Sequence, residues 1–169
     1  MDEISLIKKK ICLIGSFAVG KTSLIERFVY SRFNEKYLTM IGVNTSQKIF
    51  PPFQLQGECK LIQYDFLIWD IAATEKFDKV VKNYYRGASG ALAVADLTRP
   101  ETIQDLETIC DRFISVNRKA QLLIIGNKLD VFQENDKVID FLKKTASDFS
   151  TEYFLTSAKT GARVEDAFL

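Results

Sequence analysis

The sequence contains no histidine. Histidine is the side chain that most often moves protons near neutral pH, and it is a frequent ligand of zinc. Its absence excludes histidine-based acid–base catalysis and histidine zinc sites. Cysteine is scarce as well, with only Cys12, Cys59 and Cys110 in the chain. We interpret this odd number as reduced thiols in a cytosolic protein.

Neither sign of charge is in excess, and no long apolar run is present. The chain has 23 basic and 22 acidic residues, so we expect no non-specific binding to nucleic acid. The basic run Lys8–Lys10 either touches an anionic surface or, as we expect, begins a solvent-exposed strand. The apolar runs are too short for a membrane span, and Ile4–Ile7 is too short for a signal-peptide core. We therefore expect a cytoplasmic protein with one domain over residues 1–169.

Apolar strands alternate with amphipathic helices along the whole chain, which predicts an α/β fold with a mostly parallel sheet. The runs Ala91–Val94 and Leu122–Ile125 are apolar without alternation, as strands covered on both faces require. We place strands near Lys9–Gly15, Ile41–Phe50, Lys60–Trp69, Ala91–Leu97, Gln121–Gly126 and Tyr153–Thr156. We place helices near Lys21–Arg32, Glu75–Arg86, Glu101–Asn117, Glu134–Phe149 and from Arg163 onward. We interpret Leu97–Glu101 as a helix start rather than a site, because Thr98 and Glu101 have capping-box spacing.

The connection Pro51–Gly57 lies between the second and third predicted strands. A pair of prolines cannot continue a ladder of backbone hydrogen bonds, so we expect a hairpin turn with extra length. Its Phe53 and Leu55 belong either to a packed or mobile tip, which we favour, or to a surface for a partner protein.

The residues from Gly15 to Thr22 match G-x-x-x-x-G-K-[ST], the phosphate-binding loop of nucleoside triphosphatases. Gly15 and Gly20 allow a turn tight enough for successive backbone N–H groups to point at a phosphate. Lys21 brings a cation to the β- and γ-phosphates, and the Thr22 hydroxyl is placed to bind Mg²⁺. The alternative is a chance glycine turn. The apolar strand Ile11–Ile14 before the loop and the helical pattern after it favour the phosphate site.

Three further signals follow predicted strands. Asp70 ends a strand beside the first one; it is either a turn former or a carboxylate that reaches Mg²⁺ through a water. Asn127–Asp130 lies where α/β sheets bind ligands, and its aspartate can accept both the N1–H and the exocyclic amine of guanine. Its asparagine can tie neighbouring loops together, and Lys128 can lie along the base. Ser157–Lys159 can present a backbone N–H to the guanine carbonyl. Singly, each signal is weak.

Together and in this order, the four signals resemble those of the Ras-like small GTPases. The stretches Tyr84–Ala88, Ala95–Thr102 and Ile41–Val43 look most like the Rab branch. The resemblance implies a three-layer fold in which helices cover both faces of a six-stranded, mostly parallel sheet with one antiparallel strand. It also implies bound GTP or GDP, Mg²⁺, and two switch segments, 34–45 and 71–84, that contact effector and regulator proteins.

The resemblance also assigns residues by position. By their position in the family pattern, Phe33 would stack on guanine and Tyr37 would lie over the phosphates. The nucleotide-binding positions are Gly15, Phe17, Ala18, Val19, Gly20, Lys21, Thr22, Ser23, Phe33, Tyr37, Thr39, Met40, Ala73, Asn127, Lys128, Asp130, Ser157, Ala158 and Lys159. The metal positions are Thr22 and Asp70, with Thr39 only if its loop slips by one residue.

The chain departs from the family pattern where the γ-phosphate would bind. Phe17 replaces a small residue of the phosphate loop, and Met40 replaces the threonine that binds Mg²⁺. Ala73 replaces a glycine, where we expect strain if the family's glycine-only conformation is kept. Thr74 replaces the glutamine that orients the attacking water and is our catalytic candidate. We therefore expect guanine recognition with impaired hydrolysis, although Thr74 or Glu75 can still hold the water in another geometry.

Two functions remain open from the sequence. The first is a Rab-like switch that hydrolyses GTP slowly; the second is a pseudo-GTPase, a binding module with a bound nucleotide. A nucleoside kinase is disfavoured, because this sequence shows no arginine-rich lid and because that function does not explain Asn127–Asp130. Rab-like proteins are usually anchored through prenylated cysteines, whereas this sequence ends at Leu169 within its last predicted helix. Membrane attachment is therefore expected only through a lipidated tail beyond that residue.

Overall fold

A sheet of seven strands is formed by the residues that the computed structural model describes, which are 4–34, 42–54, 60–73 and 78–169. The strands are β1 (Ile4–Ile14), β2 (Val43–Ile49), β3 (Phe53–Gln54), β4 (Leu61–Ile71), β5 (Gly90–Asp96), β6 (Gln121–Asn127) and β7 (Tyr153–Leu155). The helices are α1 (Lys21–Tyr30), α2 (Asp78–Tyr85), α3 (Glu101–Val116), α4 (Asp136–Asp148) and α5 (Val164–Phe168).

The strand order is β2-β4-β1-β5-β6-β7, with β3 beside β4. The path from β4 to β7 is parallel, whereas β2 and β3 run antiparallel to β4. The predicted mostly parallel sheet is confirmed, with one addition. The two-residue strand β3 forms inside the proline-rich connection, where Phe53 pairs with Ile62 and Gln54 with Leu61. The hairpin expected there therefore carries a short strand, and its residues 55–59 lie outside the described residues.

Helices cover both faces of the sheet, as predicted, and each face has its own core. Ile103, Phe113 and Leu142 of α3 and α4 are fully buried on one face. On the other face Phe28 of α1 stacks on Phe168 of α5, with ring centroids 4.0 Å apart. The central strand β5 contributes to both cores, and for this reason its sequence is apolar without alternation.

Helix α3 begins at Glu101, as predicted, but its cap differs from the sequence prediction. The N-cap position is Pro100, which offers no side-chain hydrogen bond, so the predicted capping box is wrong. The Thr98 hydroxyl instead donates to Asp96 Oδ1 at 2.7 Å, and the Thr98 amide donates to the same oxygen at 2.9 Å. Asp96 thus accepts both Thr98 donors in charge-assisted hydrogen bonds, and the threonine side chain lies outside the cap of the helix.

Other predicted boundaries move by a few residues. Helix α4 begins at Asp136, because the Asn135 side chain accepts a hydrogen bond from the Lys137 amide at 3.1 Å and caps it. Helix α2 is described from Asp78, so its predicted start at Glu75 lies outside the described residues. No helix of the described residues is long and apolar enough to cross a bilayer.

Two of the three cysteines lie in the described part of the chain, and both are buried free thiols. Burial raises the pKa of Cys12 and of Cys110 to about 12. These thiols are therefore protonated and unreactive in the folded chain. Cys59 lies outside the described residues.

Candidate functional site

The loop between β1 and α1 requires glycine at two positions. Gly15 and Gly20 have φ angles of 145° and 102°. A Cβ atom at the first would stand 2.2 Å from the Val94 carbonyl oxygen, and one at the second 2.3 Å from Asn127 Nδ2. Both positions combine a positive φ with close contact to a neighbouring loop or strand, so no other residue fits without strain. The tight turn expected from the motif is thus present.

Lys21 lies at the centre of this loop and is only 7% exposed. Its Nζ atom donates to the Gly15 and Ser16 carbonyls, each at 2.9 Å. Burial lowers the pKa of Lys21 to about 8, partly offset by Asp70, while Arg99 lowers it further. A buried cation held by neutral carbonyls is stabilised when an anion enters beside it.

Thr22 and Asp70 form the second feature of the site. The threonine hydroxyl donates to Asp70 Oδ2. Asp70 is 3% exposed, and its Oδ1 atom is the only buried side-chain polar atom within the described ranges that has no hydrogen-bond partner. Burial raises the pKa of this carboxyl group, and the bond from Thr22 and the charge of Lys21 oppose the rise.

An orphaned carboxylate oxygen beside a hydroxyl fits a hard cation such as Mg²⁺. The described residues contain no group of three or more acidic or cysteine side chains that would cage a metal alone. A pair of protein oxygens, as offered by Thr22 and Asp70, fits Mg²⁺ in particular, because that ion is usually held by one or two protein oxygens together with waters and substrate phosphates.

Asn127, at the end of β6, ties three loops together, as expected from the sequence. Its Nδ2 atom donates to the Val19 carbonyl at 3.0 Å. Its Oδ1 atom accepts hydrogen bonds from the Ala158 amide and the Thr156 hydroxyl, each at 3.2 Å. The residue is 1% exposed, so these bonds are shielded from water. Of the segment Ser157–Lys159, predicted to present a backbone N–H to the guanine carbonyl, the Ala158 amide donates to Asn127 in this structure.

Asp130 and Lys128 face the same cavity from the following turn. Asp130 is exposed, and its Oδ1 atom accepts a 2.6 Å hydrogen bond from the buried Ser157 hydroxyl. Lys128 has a φ of 68°, and its Nζ atom lies 2.7 Å from Asp96 Oδ2. Its ammonium group is therefore directed to Asp96, and only its aliphatic stem is available to lie along a base.

Arg27 is a supporting residue that the sequence analysis missed. From the last turn of α1 it donates to the Ala158 carbonyl at 2.8 Å and to the Lys159 carbonyl at 2.5 Å. It thereby fixes the loop after β7 from behind. Its only sequence signal is a basic residue near the carboxyl end of a helix, which is too common to single out.

One cavity of about 290 Å³ collects most of the predicted site. Phe33 lies in its wall, as stacking on a base requires. The other predicted residues that line it are Phe17, Ala18, Gly20, Lys21, Thr22, Ser23, Asp70, Ala73, Asn127, Lys128, Asp130, Ala158 and Lys159. Gly15, Val19 and Ser157 are buried behind the lining. Tyr37, Thr39, Met40 and Thr74 lie outside the described residues.

Comparison with known proteins identifies the family of this chain. The family model described as Ras family matches residues 10–169. The chain belongs to the Ras family. Curated relatives are similar over most of their length. They include the Ras-related protein RABG3e of Arabidopsis thaliana (33% identical over 95% of this chain and 78% of the relative), the Ras-related protein Rab-4A of Mus musculus (35%, 95% and 71%) and the GTP-binding protein ypt1 of Schizosaccharomyces pombe (34%, 95% and 76%). The resemblance to Rab-like small GTPases is thereby confirmed.

Two of the chain's departures from the Ras-family pattern lie among the described residues. Phe17 is 55% exposed, and it lines both the main cavity and a cleft between the loop, the end of β4 and α3. Ala73 is exposed at the cavity and is not among the residues with positive φ. The strain considered for Ala73 is therefore absent in this structure, because the backbone does not adopt a glycine-only conformation there.

The Ras-family chain also carries a charge network that sequence reasoning dismissed. Asp96, at the end of β5, binds Lys128 and also Arg99, whose Nε atom lies 3.0 Å from Asp96 Oδ2. The same guanidinium donates from Nη2 to the Phe17 carbonyl at 2.8 Å. Leu97–Glu101 is therefore part of the site's support as well as the approach to a helix. An acidic residue ending a buried strand, with an arginine three residues later, was the available signal.

Proposed function

We propose that this Ras-family chain is a Rab-like molecular switch that binds GTP or GDP with Mg²⁺ and hydrolyses GTP slowly. One observation carries the proposal: Lys21 in the loop and Asp130 after β6 line the same cavity. A buried cation suits a polyphosphate, and an exposed carboxylate suits the two N–H donors of guanine. The relative named GTP-binding protein ypt1 supports the same ligand.

Each end of the nucleotide has its own protein groups. Asp130 accepts from the guanine N1–H and exocyclic amine, which adenine cannot supply in this arrangement. Phe33 covers the base, and Lys21 neutralises the phosphates. Thr22 would hold Mg²⁺ directly and the orphaned oxygen of Asp70 would hold it through a water, and the bound ion would supply charge neutralisation at the phosphates.

Slow hydrolysis follows from the residues around the γ-phosphate. In the reaction a water oxygen bonds to the γ-phosphorus and its proton passes to a phosphate oxygen, while the bond from this phosphorus to the β–γ bridging oxygen breaks and leaves GDP and phosphate. Phe17 projects a ring at the wall of the cavity, where that water must fit. Thr74 is too short to position the water as the family glutamine does. Each change slows the step by about tenfold or more, and each factor of ten corresponds to about 1.4 kcal/mol of barrier.

A second candidate is a pseudo-GTPase that retains the nucleotide without turnover and acts only by binding partners. The exposed Phe17 ring favours it, because this ring occupies space on the side of the cavity near the loop. In either case we propose that effector and regulator proteins contact segments 34–45 and 71–84. A role in vesicle trafficking and attachment to a membrane through a lipidated tail are further parts of the proposal.

Nucleotide binding is tested by competition of GDP and ADP for the purified chain, with and without Mg²⁺. We expect tight GDP binding, no displacement by ADP, and faster GDP release when Mg²⁺ is chelated. The variant Asp70→Asn should release GDP at a rate that chelation no longer changes. The variant Asp65→Asn is the matched control, because that buried carboxylate lies on β4 but bonds Gln47 instead of the site. Equal binding of GDP and ADP would overturn the proposal.

A further inference from the structure

Asp96 is a buried carboxylate with four hydrogen-bond donors. It is 1% exposed. Its Oδ1 atom accepts from the amide and hydroxyl of Thr98, and its Oδ2 atom from Arg99 and Lys128. Burial raises the pKa of this carboxyl group, but the bonds from Lys128, Thr98 and Arg99 outweigh burial and hold the pKa below its ordinary value. A buried charge with all its acceptor sites filled is a rigid point of attachment.

The Arg99 guanidinium extends from this point to the phosphate loop. Its Nε atom lies 3.0 Å from Asp96 Oδ2, and its Nη2 atom donates to the Phe17 carbonyl at 2.8 Å. The guanidinium is planar, so the two bonds fix the position of the loop relative to the end of β5. A simple ion pair between residues three apart at a helix start would not require the second bond.

The bond from Arg99 to the Phe17 carbonyl constrains the direction of the next backbone N–H group. The described chain has no cis peptide bonds, and in a trans peptide the C=O and the following N–H point in opposite directions. Holding the Phe17 carbonyl toward Arg99 therefore turns the Ala18 N–H away from it. Ala18 itself lines the cavity and has a φ of 57°, which costs a non-glycine residue free energy. The bond from Arg99 offsets this strain from outside the loop.

A second tether acts at the preceding residue. The Ser16 hydroxyl donates to Asp105 Oδ2 of α3 at 2.6 Å. Two successive loop residues are thus attached to the segment that includes Arg99 and α3. Lys128, in contrast, connects the same Asp96 oxygen to the base-contacting turn.

We propose that Arg99 is a positioning residue. Through its bonds to the Phe17 carbonyl and Asp96, it holds the phosphate loop in the conformation that binds a diphosphate, and it couples that loop to the guanine-contacting Lys128. The inference rests on the proposed function, because it assumes that the cavity holds a guanine nucleotide. It gives Arg99 no contact with the reacting atoms.

The test compares GDP and GMP affinity and GDP release in wild type, Arg99→Ala and Arg99→Lys. We expect Arg99→Ala to release GDP about tenfold faster or more, since the charge-assisted hydrogen bond to the Phe17 carbonyl and the ion pair with the buried Asp96 are both lost. Its affinity for GMP should change by less than about threefold, because a monophosphate depends less on the loop. Arg99→Lys should recover only part of the GDP affinity, since an ammonium lacks the planar fork. Arg118→Ala, an exposed arginine after α3, is the matched control and should behave as wild type.

A double-mutant cycle tests the coupling. Arg99 and Lys128 share one carboxylate oxygen, so their effects on GDP affinity should be non-additive by a factor of about three or more in Arg99→Ala/Lys128→Met. Additive effects would overturn the coupling.

Three results would overturn the inference in distinguishable ways. If Arg99→Ala releases GDP as wild type does, Arg99 has no positioning role. If GDP and GMP weaken by the same factor and the melting temperature falls, Arg99 is only a structural residue. If wild type itself does not bind GDP, the proposed function fails together with the inference.

Discussion

Asn127 connects three parts of the site with a single side-chain amide. Its two polar atoms bond the phosphate loop at Val19 and the loop after β7 at Ala158. Thr156 adds a hydroxyl to the same oxygen. An amide can donate and accept at once, and no other side chain of similar size offers both in this geometry. The site is therefore assembled by hydrogen bonds between loops, while the residues that face the cavity, such as Asp130, remain available to a ligand.

Asp130 gives the most specific prediction at this scale. Replacing Asp130 by alanine removes the acceptor for two guanine N–H groups, so GDP affinity should fall by about tenfold to a hundredfold or more. Inosine diphosphate lacks the exocyclic amine and serves as the comparison. Wild type should prefer GDP to inosine diphosphate, and Asp130→Ala should bind the two equally, as measured by displacement of a fluorescent nucleotide. A preserved preference in Asp130→Ala would show that another group reads the amine.

The buried thiols give a prediction on pH. The pKa of Cys12 and Cys110 is raised to about 12, so below pH 10 their thiolate fraction stays under about 1%. Iodoacetamide at pH 8 should leave both thiols unmodified in the folded chain and label both after unfolding, as read by peptide mass spectrometry. Because thiolate rises with pH, labelling should increase only as the pH approaches 12 or as the chain unfolds. Rapid labelling at pH 8 would contradict the burial described here.

At the scale of elements, the site depends on where strands end. The loops after β1, β4, β6 and β7 emerge at the carboxyl edge of neighbouring parallel strands, which brings distant parts of the sequence within hydrogen-bond distance. Helix α3 adds support from the side through Asp105 and the preceding Arg99. Helix α1 supports the far loop through Arg27. Side chains that do not contact the ligand themselves, such as Arg27 and Arg99, thus help to fix the loops whose residues do.

The cap of α4 provides a test of one element. Replacing Asn135 by alanine removes the acceptor of the Lys137 amide, so the free energy of unfolding should fall by about 1 kcal/mol. Asn135→Asp keeps the acceptor and should be close to wild type. Both are measured by urea denaturation with the nucleotide held in excess. Equal loss in the two variants would mean that the cap does not stabilise α4.

Most of the sheet could be predicted from the sequence, because its central strands are continuously apolar and its helices have clear periodicity. The strand β3 was missed, since two residues after a proline pair carry no pattern. Helix α3 starts at Glu101 as predicted, but its capping box was wrong for a different reason. Capping-box spacing is local, whereas the Asp96 carboxylate that binds Thr98 is held by tertiary contacts with Lys128.

The site was predictable where a motif has fixed spacing, as at Lys21 and Asn127. It was not predictable where a side chain acts on backbone brought close only by folding. Arg99 and Arg27 bond carbonyl groups 82 and 131 residues away in sequence, and no local pattern encodes such bonds. The expected strain at Ala73 followed from the family's glycine, but the conformation found here does not need one.

At the scale of the whole molecule, the chain has the two cores and the loops at the carboxyl edge of the sheet that a Ras-family fold needs. Its sequence departs from the family pattern at the positions expected to surround the γ-phosphate. Guanine-side residues such as Asn127 and Asp130 are in place around the cavity. Phe17 is exposed and lines the same cavity. Under the proposed function, nucleotide binding and hydrolysis would depend on different loops, so a change in the loops for hydrolysis would leave guanine binding intact.

Single-turnover hydrolysis tests this account most directly. The purified chain is loaded with GTP and Mg²⁺, and bound GTP and GDP are separated by chromatography over hours. We predict that wild type retains most of its GTP. Phe17→Ala and Thr74→Gln should each hydrolyse it about tenfold faster or more. Phe53→Ala, an exposed phenylalanine on β3, should match wild type. If wild type converts GTP to GDP as fast as the Phe17→Ala/Thr74→Gln double variant, impaired hydrolysis is contradicted.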